Sequence, residues 1–185
     1  MSVRLVYETH STTTDNEAGI ATGWLPGELS ERGLRDAADL ARRRRDDGVD
    51  LVYSSDLHRA VQTAQLAFGG TGVEIRLDAR LRECDYGQLN GAPVARLDRQ
   101  RAQRVDTPFP GGESYRQVVD RTADLLEELA DRHDGRRLVL VAHSANRHAL
   151  AVLLEGADLH RLVSVPFAWQ PGWEYELPAG WRRPR

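Results

Sequence analysis

The sequence predicts an α/β fold, a three-layer α/β/α sandwich around a mainly parallel sheet, and three observations predict it. Short apolar runs of strand length alternate with longer segments of helical period. Helix N-cap residues or helix-ending glycines stand at the joins between them. Polar clusters follow the carboxyl ends of the apolar runs, where ligands bind in open α/β sheets.

The elements follow in order. Residues 3–7 read as a short buried strand, followed by a polar loop from Glu8 to Ser30 whose Gly- and Pro-bearing part, 18–27, is expected to be irregular. Ser30 is an N-cap for a helix reaching about Asp47, with Leu34, Ala37, Ala38, Leu40 and Ala41 on its apolar face and Gly48 at its end. Residues 49–53 form the next strand, and Ser54-Ser55-Asp56 caps a helix through about Phe68. A strand over 73–76 leads into an irregular segment from Leu81 to Gly91, and the polar stretch up to Glu113 adds no regular element. Ser114 opens a long helix carrying Val118, Val119, Leu125, Leu126 and Leu129 on one side. A strand over 138–141, a helix from about Ser144 to Leu154, and a final strand or extended edge over 167–175 complete the chain.

Composition narrows the function classes. At 185 residues the chain fits one domain over 1–185, with 41% hydrophobic and 29% charged residues, as in ordinary globular proteins. No apolar run is long enough to cross a bilayer, and the N-terminus lacks the apolar core of a signal peptide, so a cytoplasmic protein without membrane partners is expected. The single Cys84 suits a reducing compartment and offers no metal site. A formal net charge of −3 disfavours nucleic acid as a partner. The run from Arg42 to Arg45 reads as a solvated helix end, since Asp36 and Asp39 precede it and Asp46-Asp47 follow. All basic residues are arginine, so a phosphate site here must use Arg, His and backbone amides. The apolar segment 163–169 is the surface best suited to a homodimer contact.

Chemistry concentrates at three strand ends: His10-Ser11-Thr12, then Ser54-Ser55-Asp56-Leu57-His58-Arg59, then His143-Ser144-Ala145-Asn146-Arg147-His148. A fourth polar cluster, Arg82-Glu83-Cys84-Asp85-Tyr86-Gly87, lies in a segment able to fold over the same edge. His58, His133 and His160 read as surface residues. Trp24, Trp169 and Trp173 fit cores and edges better than a pocket wall.

These motifs resemble the histidine phosphatase superfamily, the phosphoglycerate mutase-like group. Thr9-His10-Ser11-Thr12 stands in the place of the family's Arg-His-Gly-Glu. Ser54 to Ala64 matches its Ser-Ser-Asp-Leu-x-Arg-Ala-x-x-Thr-Ala signature, Leu81-Arg82-Glu83 with Tyr86-Gly87 matches its Leu-Arg-Glu segment, and Pro110-Gly111-Gly112-Glu113-Ser114 matches Pro-Gly-Gly-Glu-Ser. His143-Ser144-Ala145 takes the place of His-Gly-Gly, so the resemblance covers residues 3 to about 154.

The resemblance implies a phosphoglycerate mutase-like fold and a metal-independent phosphomonoesterase acting on a small phosphorylated substrate without cofactor. His10 is then the nucleophile that forms a phosphohistidine. Arg59 holds phosphoryl oxygens. Glu83 is general acid and then base. A protonated His143 supports the transition state. Ser11, Asn16, Ser144 and Arg147 complete the substrate-binding set. Two departures stand out: Thr9 replaces the arginine that in the family contacts the transferred phosphoryl group, and Ser144 and Ala145 replace two glycines. Arg147 is the nearest replacement cation, with Arg82 and His148 behind it. A phosphomutase, or a member that binds a phosphorylated metabolite or partner without turnover, stays open as an alternative.

Overall fold

The computed structural model describes residues 2–184. In chain order its first elements are β1 (Ser2–Thr9), α1 (Thr14–Ala18), β2 (Ile20–Ala21), α2 (Glu31–Arg44), β3 (Leu51–Ser54), α3 (His58–Phe68) and β4 (Glu74–Leu77). There follow β5 (Ala92–Pro93), α4 (Val94–Arg101), α5 (Tyr115–Arg132), β6 (Arg137–Ala142), α6 (Ser144–Glu155), α7 (Leu159–Val163) and β7 (Trp173–Pro178).

The main sheet has the order β4-β3-β6-β1-β7. Its first four strands run parallel and β7 closes the edge antiparallel to β1. Helices cover both faces, as expected of strands whose apolar runs are nearly continuous. Alternate residues divide between the two sides: Val6, Val52, Val139 and Val141 pack with Leu40 of α2 and Ala60 and Ala64 of α3. Leu5, Tyr7, Leu138 and Leu140 meet Leu125, Leu129 and Leu150 of α5 and α6 on the other side.

Register aligns the strand ends. Thr9 lies opposite Ala142, so His10 and His143 emerge at one level; Ser54 lies opposite Val141, so Ser55 emerges one residue short of them. The amides of His10 and Ser55 extend the ladders by donating to the carbonyls of Ala142 (2.8 Å) and Val141 (2.9 Å).

Local signals place the helices. Ser30 Oγ accepts from the Gly33 amide at 3.2 Å and opens α2. Ser114 and Gln117 form a reciprocal capping box at α5. The expected cap of α3 differs: the helix starts after Leu57 with no side-chain cap, because the Asp56 carboxylate is taken by Arg82 through two 2.7 Å bonds. Ser55 Oγ instead accepts from the Leu57 amide.

Five further expectations need correction. Residues 18–27 are not wholly irregular, since Ile20–Ala21 pairs antiparallel with Ala92–Pro93. The stretch before Glu113 contains α4, a polar helix in which only Leu97 is buried, so it has no apolar stripe to read. The final strand starts at Trp173, after Pro171 and Gly172 interrupt the extended tail. His133 is buried against Tyr53, its Nε2 3.0 Å from the hydroxyl. The Arg42 to Arg45 run is not all solvated: Arg43 and Arg44 donate to the buried Glu8 carboxylate, which would otherwise be an uncompensated charge at the end of β1.

Gly33 marks where α2 crosses the chain after His10. A Cβ there would stand 1.9 Å from the Thr12 carbonyl oxygen. In an open helix Gly→Ala stabilises by about 1 kcal/mol. Here the clash reverses the sign, and Gly33→Ala is expected to destabilise by about 1–3 kcal/mol in denaturant unfolding. A stabilised variant would show that the two segments are not in contact.

Candidate active site

The loop after β1 fixes the state of the first histidine. His10 Nδ1 sits 2.8 Å from the Ser11 carbonyl oxygen, which can only accept, so the proton is on Nδ1. Its Nε2 then carries a lone pair, and Arg59 Nε donates to it at 3.3 Å. Both contacts require the same neutral tautomer. Burial, and next the Arg59 charge, lower the pKa of His10 from 6.5 to about 3.

Arg59, in the first turn of α3, is 2% exposed. Its Nη2 donates to the Gly23 carbonyl at 2.8 Å and its Nη1 to that of Leu25 at 3.4 Å, which ties the loop after β2 to the guanidinium. Burial pulls its pKa down from the ordinary arginine value, yet a guanidinium stays charged in a protein.

Glu83 comes from the irregular segment and docks on the N-terminus of α6. Its Oε1 accepts from the amides of Cys84 (2.8 Å) and Ala145 (3.3 Å), and its Oε2 from Ser144 Oγ (3.0 Å). Its backbone carbonyl accepts from the Trp24 indole at 2.7 Å and from Arg121 at 3.0 Å. The hydroxyl of Ser144 therefore holds the carboxylate rather than reaching out alone.

These groups line one cavity of about 570 Å³, within the usual range for ligand pockets. Of the residues expected from the sequence, His10, Ser11, Asn16, Arg59, Glu83 and Ser144 are all on its wall. Asn16 also caps α1, its side chain accepting from the Thr13 amide. Ser11 has its amide bonded to Thr63 Oγ1 at 3.0 Å.

His143 and Arg147 are placed differently from expectation. The His143 ring stands 5.1 Å from that of His10 but is wholly buried behind it and does not line the cavity. Its Nε2 is 2.9 Å from Ser55 Oγ, its carbonyl accepts from the Tyr7 hydroxyl, and its Nδ1 has no partner among the described residues. Burial, followed by the Arg59 charge, pushes its pKa well below 6.5, so it is neutral rather than the expected cation. Arg147 points away to Trp173 and Tyr175, 5.2 and 5.7 Å from the ring centroids, and pairs with Glu155. It cannot replace a cation at Thr9. Arg82 cannot either, being paired with Asp56 and stacked 4.6 Å over Trp24. Nor can His148, whose pKa burial lowers to about 4.

The cavity wall also holds Tyr86 of the fourth cluster and residues the motifs did not reveal: Arg32, Asp36 and Arg43 of α2, Arg101 of α4, and Trp169 of the tail. In α2 these three and Leu40 recur every three or four positions, a periodic signal hidden because it is mostly polar. Trp169, expected in a core or edge, is 62% exposed at the cavity, while Trp24 and Trp173 are packed against Arg82 and Tyr7. Of the apolar segment 163–169, Val163 is buried and Phe167 joins Trp169 on the cavity wall.

A family model, the histidine phosphatase superfamily (branch 1), matches residues 9–170. Phosphoserine phosphatase 1 of Hydrogenobacter thermophilus is 31% identical over 170 residues, covering 88% of this chain and 81% of that protein. A metal-independent phosphoserine phosphatase of Arabidopsis thaliana is 34% identical over 169 residues, covering 83% and 69%. The structure of a mycobacterial glucosyl-3-phosphoglycerate phosphatase in complex with VO3 superposes with a TM-score of 0.78 at 32% identity, covering 88% of this chain and 87% of that one.

The folded pKa values of His10 (about 3) and His148 (about 4), and the lowered one of His143, lie below 6.5. Between those values and 6.5 the unfolded chain binds more protons than the folded one, so stability is fully present above 6.5 and is lost as pH falls through the window. Nitrogen-detected NMR at pH 5.5 should find all three imidazoles neutral, and a titration of His10 centred near 6.5 would contradict this electrostatic account.

Proposed function

The chain belongs to the histidine phosphatase superfamily and is a phosphatase, and from that premise we propose that His10 is the phosphoryl acceptor for a small phosphate ester. One observation carries the assignment: Nδ1–H is bound to the Ser11 carbonyl, so the Nε2 lone pair is held beside a charged arginine on the cavity wall.

In the proposed mechanism Nε2 attacks phosphorus in line, the P–O ester bond breaks, and the leaving oxygen takes a proton from the Glu83 carboxyl group. Arg59 Nε gives up its bond to Nε2 and pairs with phosphoryl oxygens, while its two Nη groups stay on Gly23 and Leu25. Water then attacks phosphorus, passes its proton back to Glu83, and returns the electron pair to Nε2. His143 acts as a positioning residue behind His10. Ser144 and the Ala145 amide aim Glu83, and Ser11 and Asn16 contact the substrate from the β1 side. Arg59 supplies the fixed positive charge at the transferred group, consistent with the metal-independent relative. Among the described residues no helix is long and apolar enough to cross a membrane. A cytoplasmic setting is supported by the buried, unpaired Cys84.

The test is hydrolysis of 4-nitrophenyl phosphate in the presence of a chelator. Wild type is expected to turn over, and His10→Ala to fall to background. Arg59→Ala should lose about 10²–10³-fold in kcat, the cost typical of removing one preorganised donor. A His10→Ala protein that kept the wild-type rate would overturn the assignment.

A further inference from the structure

The cavity does not lie on one side of the reacting centre. Leu97 of α4 belongs to the core formed with α5 and α6, whereas Leu40 of α2 belongs to the core formed with α3 on the opposite face of the sheet. Both line the same cavity. The cavity therefore straddles the carboxyl edge of the sheet, with His10 on the strand between the two faces. One arm is walled by Ile20, Ala21, Val94, Leu97 and Arg101. The other follows a single stripe of α2, where Arg32, Asp36, Leu40 and Arg43 stand at i, i+4, i+8 and i+11, a span of about 16 Å along the helix. Trp169 also lines the cavity and is exposed.

Charge is distributed in the same way. Among the described residues, Arg59 is the cation that bonds His10, and Glu83 stands on the same cavity wall. Position 9, also on that wall, is an uncharged threonine. Neutral His10 and His143 add nothing. The remaining lining arginines are each paired with a carboxylate: Arg101 with Asp98, Arg32 with Asp36 and Arg43 with Glu8. A monoester phosphoryl group is mostly a dianion at neutral pH, since its second pKa is about 6. A diester is a monoanion, and it has two substituents to place. Each further charge taken from water without a partner is costly.

We infer that the same His10 centre hydrolyses phosphodiesters, with one ester group in the α4 arm and the other along α2. The inference rests on His10 being the nucleophile. Nε2 forms the N–P bond, one P–O ester bond breaks, and its oxygen leaves with the electron pair and takes the Glu83 proton. The enzyme then carries a phosphoramidate that keeps its second ester group. Water attacks phosphorus and gives its proton to Glu83, and the N–P electron pair returns to Nε2. The products are one alcohol and one phosphate monoester.

The experiment compares bis(4-nitrophenyl) phosphate with 4-nitrophenyl phosphate in wild type, His10→Ala and Thr9→Arg. Wild-type kcat/KM for the diester is expected to be at least about a tenth of that for the monoester, and both activities should vanish in His10→Ala. Thr9→Arg adds a second cation beside Arg59 and should shift the preference toward the monoester by about tenfold or more. A lower wild-type ratio, or a Thr9→Arg protein that folds with an unchanged ratio, overturns the inference. Monoester turnover alone would sink the diester activity and leave the phosphatase mechanism standing. Turnover of neither substrate would remove both.

Discussion

The parallel pairing of β1 with β6 is the constraint on which the rest depends. Its register sets Thr9 against Ala142, and the His10 amide adds one more rung on the Ala142 carbonyl. That rung brings His10 beside His143 and directs its side chain toward the first turn of α3, where Arg59 waits. Because β3 pairs with β6 in the same sense, Ser55 arrives one residue short of that level and meets His143 Nε2. A one-residue slip would turn the side chains of β1 to the opposite face and leave Glu8, rather than a core residue, against the wrong helices. The Arg43 and Arg44 contacts to Glu8 resist that slip from the α2 side.

The electrostatics of the site follow from the same burial. Removing the imidazoles from water keeps them neutral, which suits His10 as a nucleophile and deprives His143 of the charge it would need to act as a cation. Positive charge at the reacting centre is therefore left to Arg59. The helix α6 N-terminus spends its free amide on Glu83, with Ser144 adding a hydroxyl to the same carboxylate. A glycine at position 144 could not make that bond, so this departure from the family pattern has a structural consequence: it anchors the proposed proton donor.

Much of this was legible in the sequence. The strand ends, the α2 and α5 caps, and His10, Arg59, Glu83 and Ser144 could be read because each motif is local and the parallel topology brings local motifs together. The failures are equally physical. Arg147 lies one turn into α6, and its helical phase turns it onto Trp173 and Tyr175 instead of the cavity. The sequence cannot reveal that phase without the position of β7. His143 was read as a cation because nothing in its neighbours announces that it is fully buried. The helix α4 has one buried residue, and the α2 stripe is polar, so neither the second wall of the cavity nor its extension along α2 carries an apolar signature. Asp56 looked like a cap because its competing partner, Arg82, is distant in sequence.

The central claim is that His10 Nε2 receives the phosphoryl group while Nδ1 stays bound to Ser11. Rapid quenching during turnover of a saturating aryl phosphate, followed by phosphorus NMR and peptide mapping, tests it directly. The account predicts an acid-labile phosphoramidate on Nε2 of His10 that forms and decays at the rate of turnover. A phosphoryl group on Nδ1 or on another residue, or turnover with no phosphorylated enzyme, would contradict it.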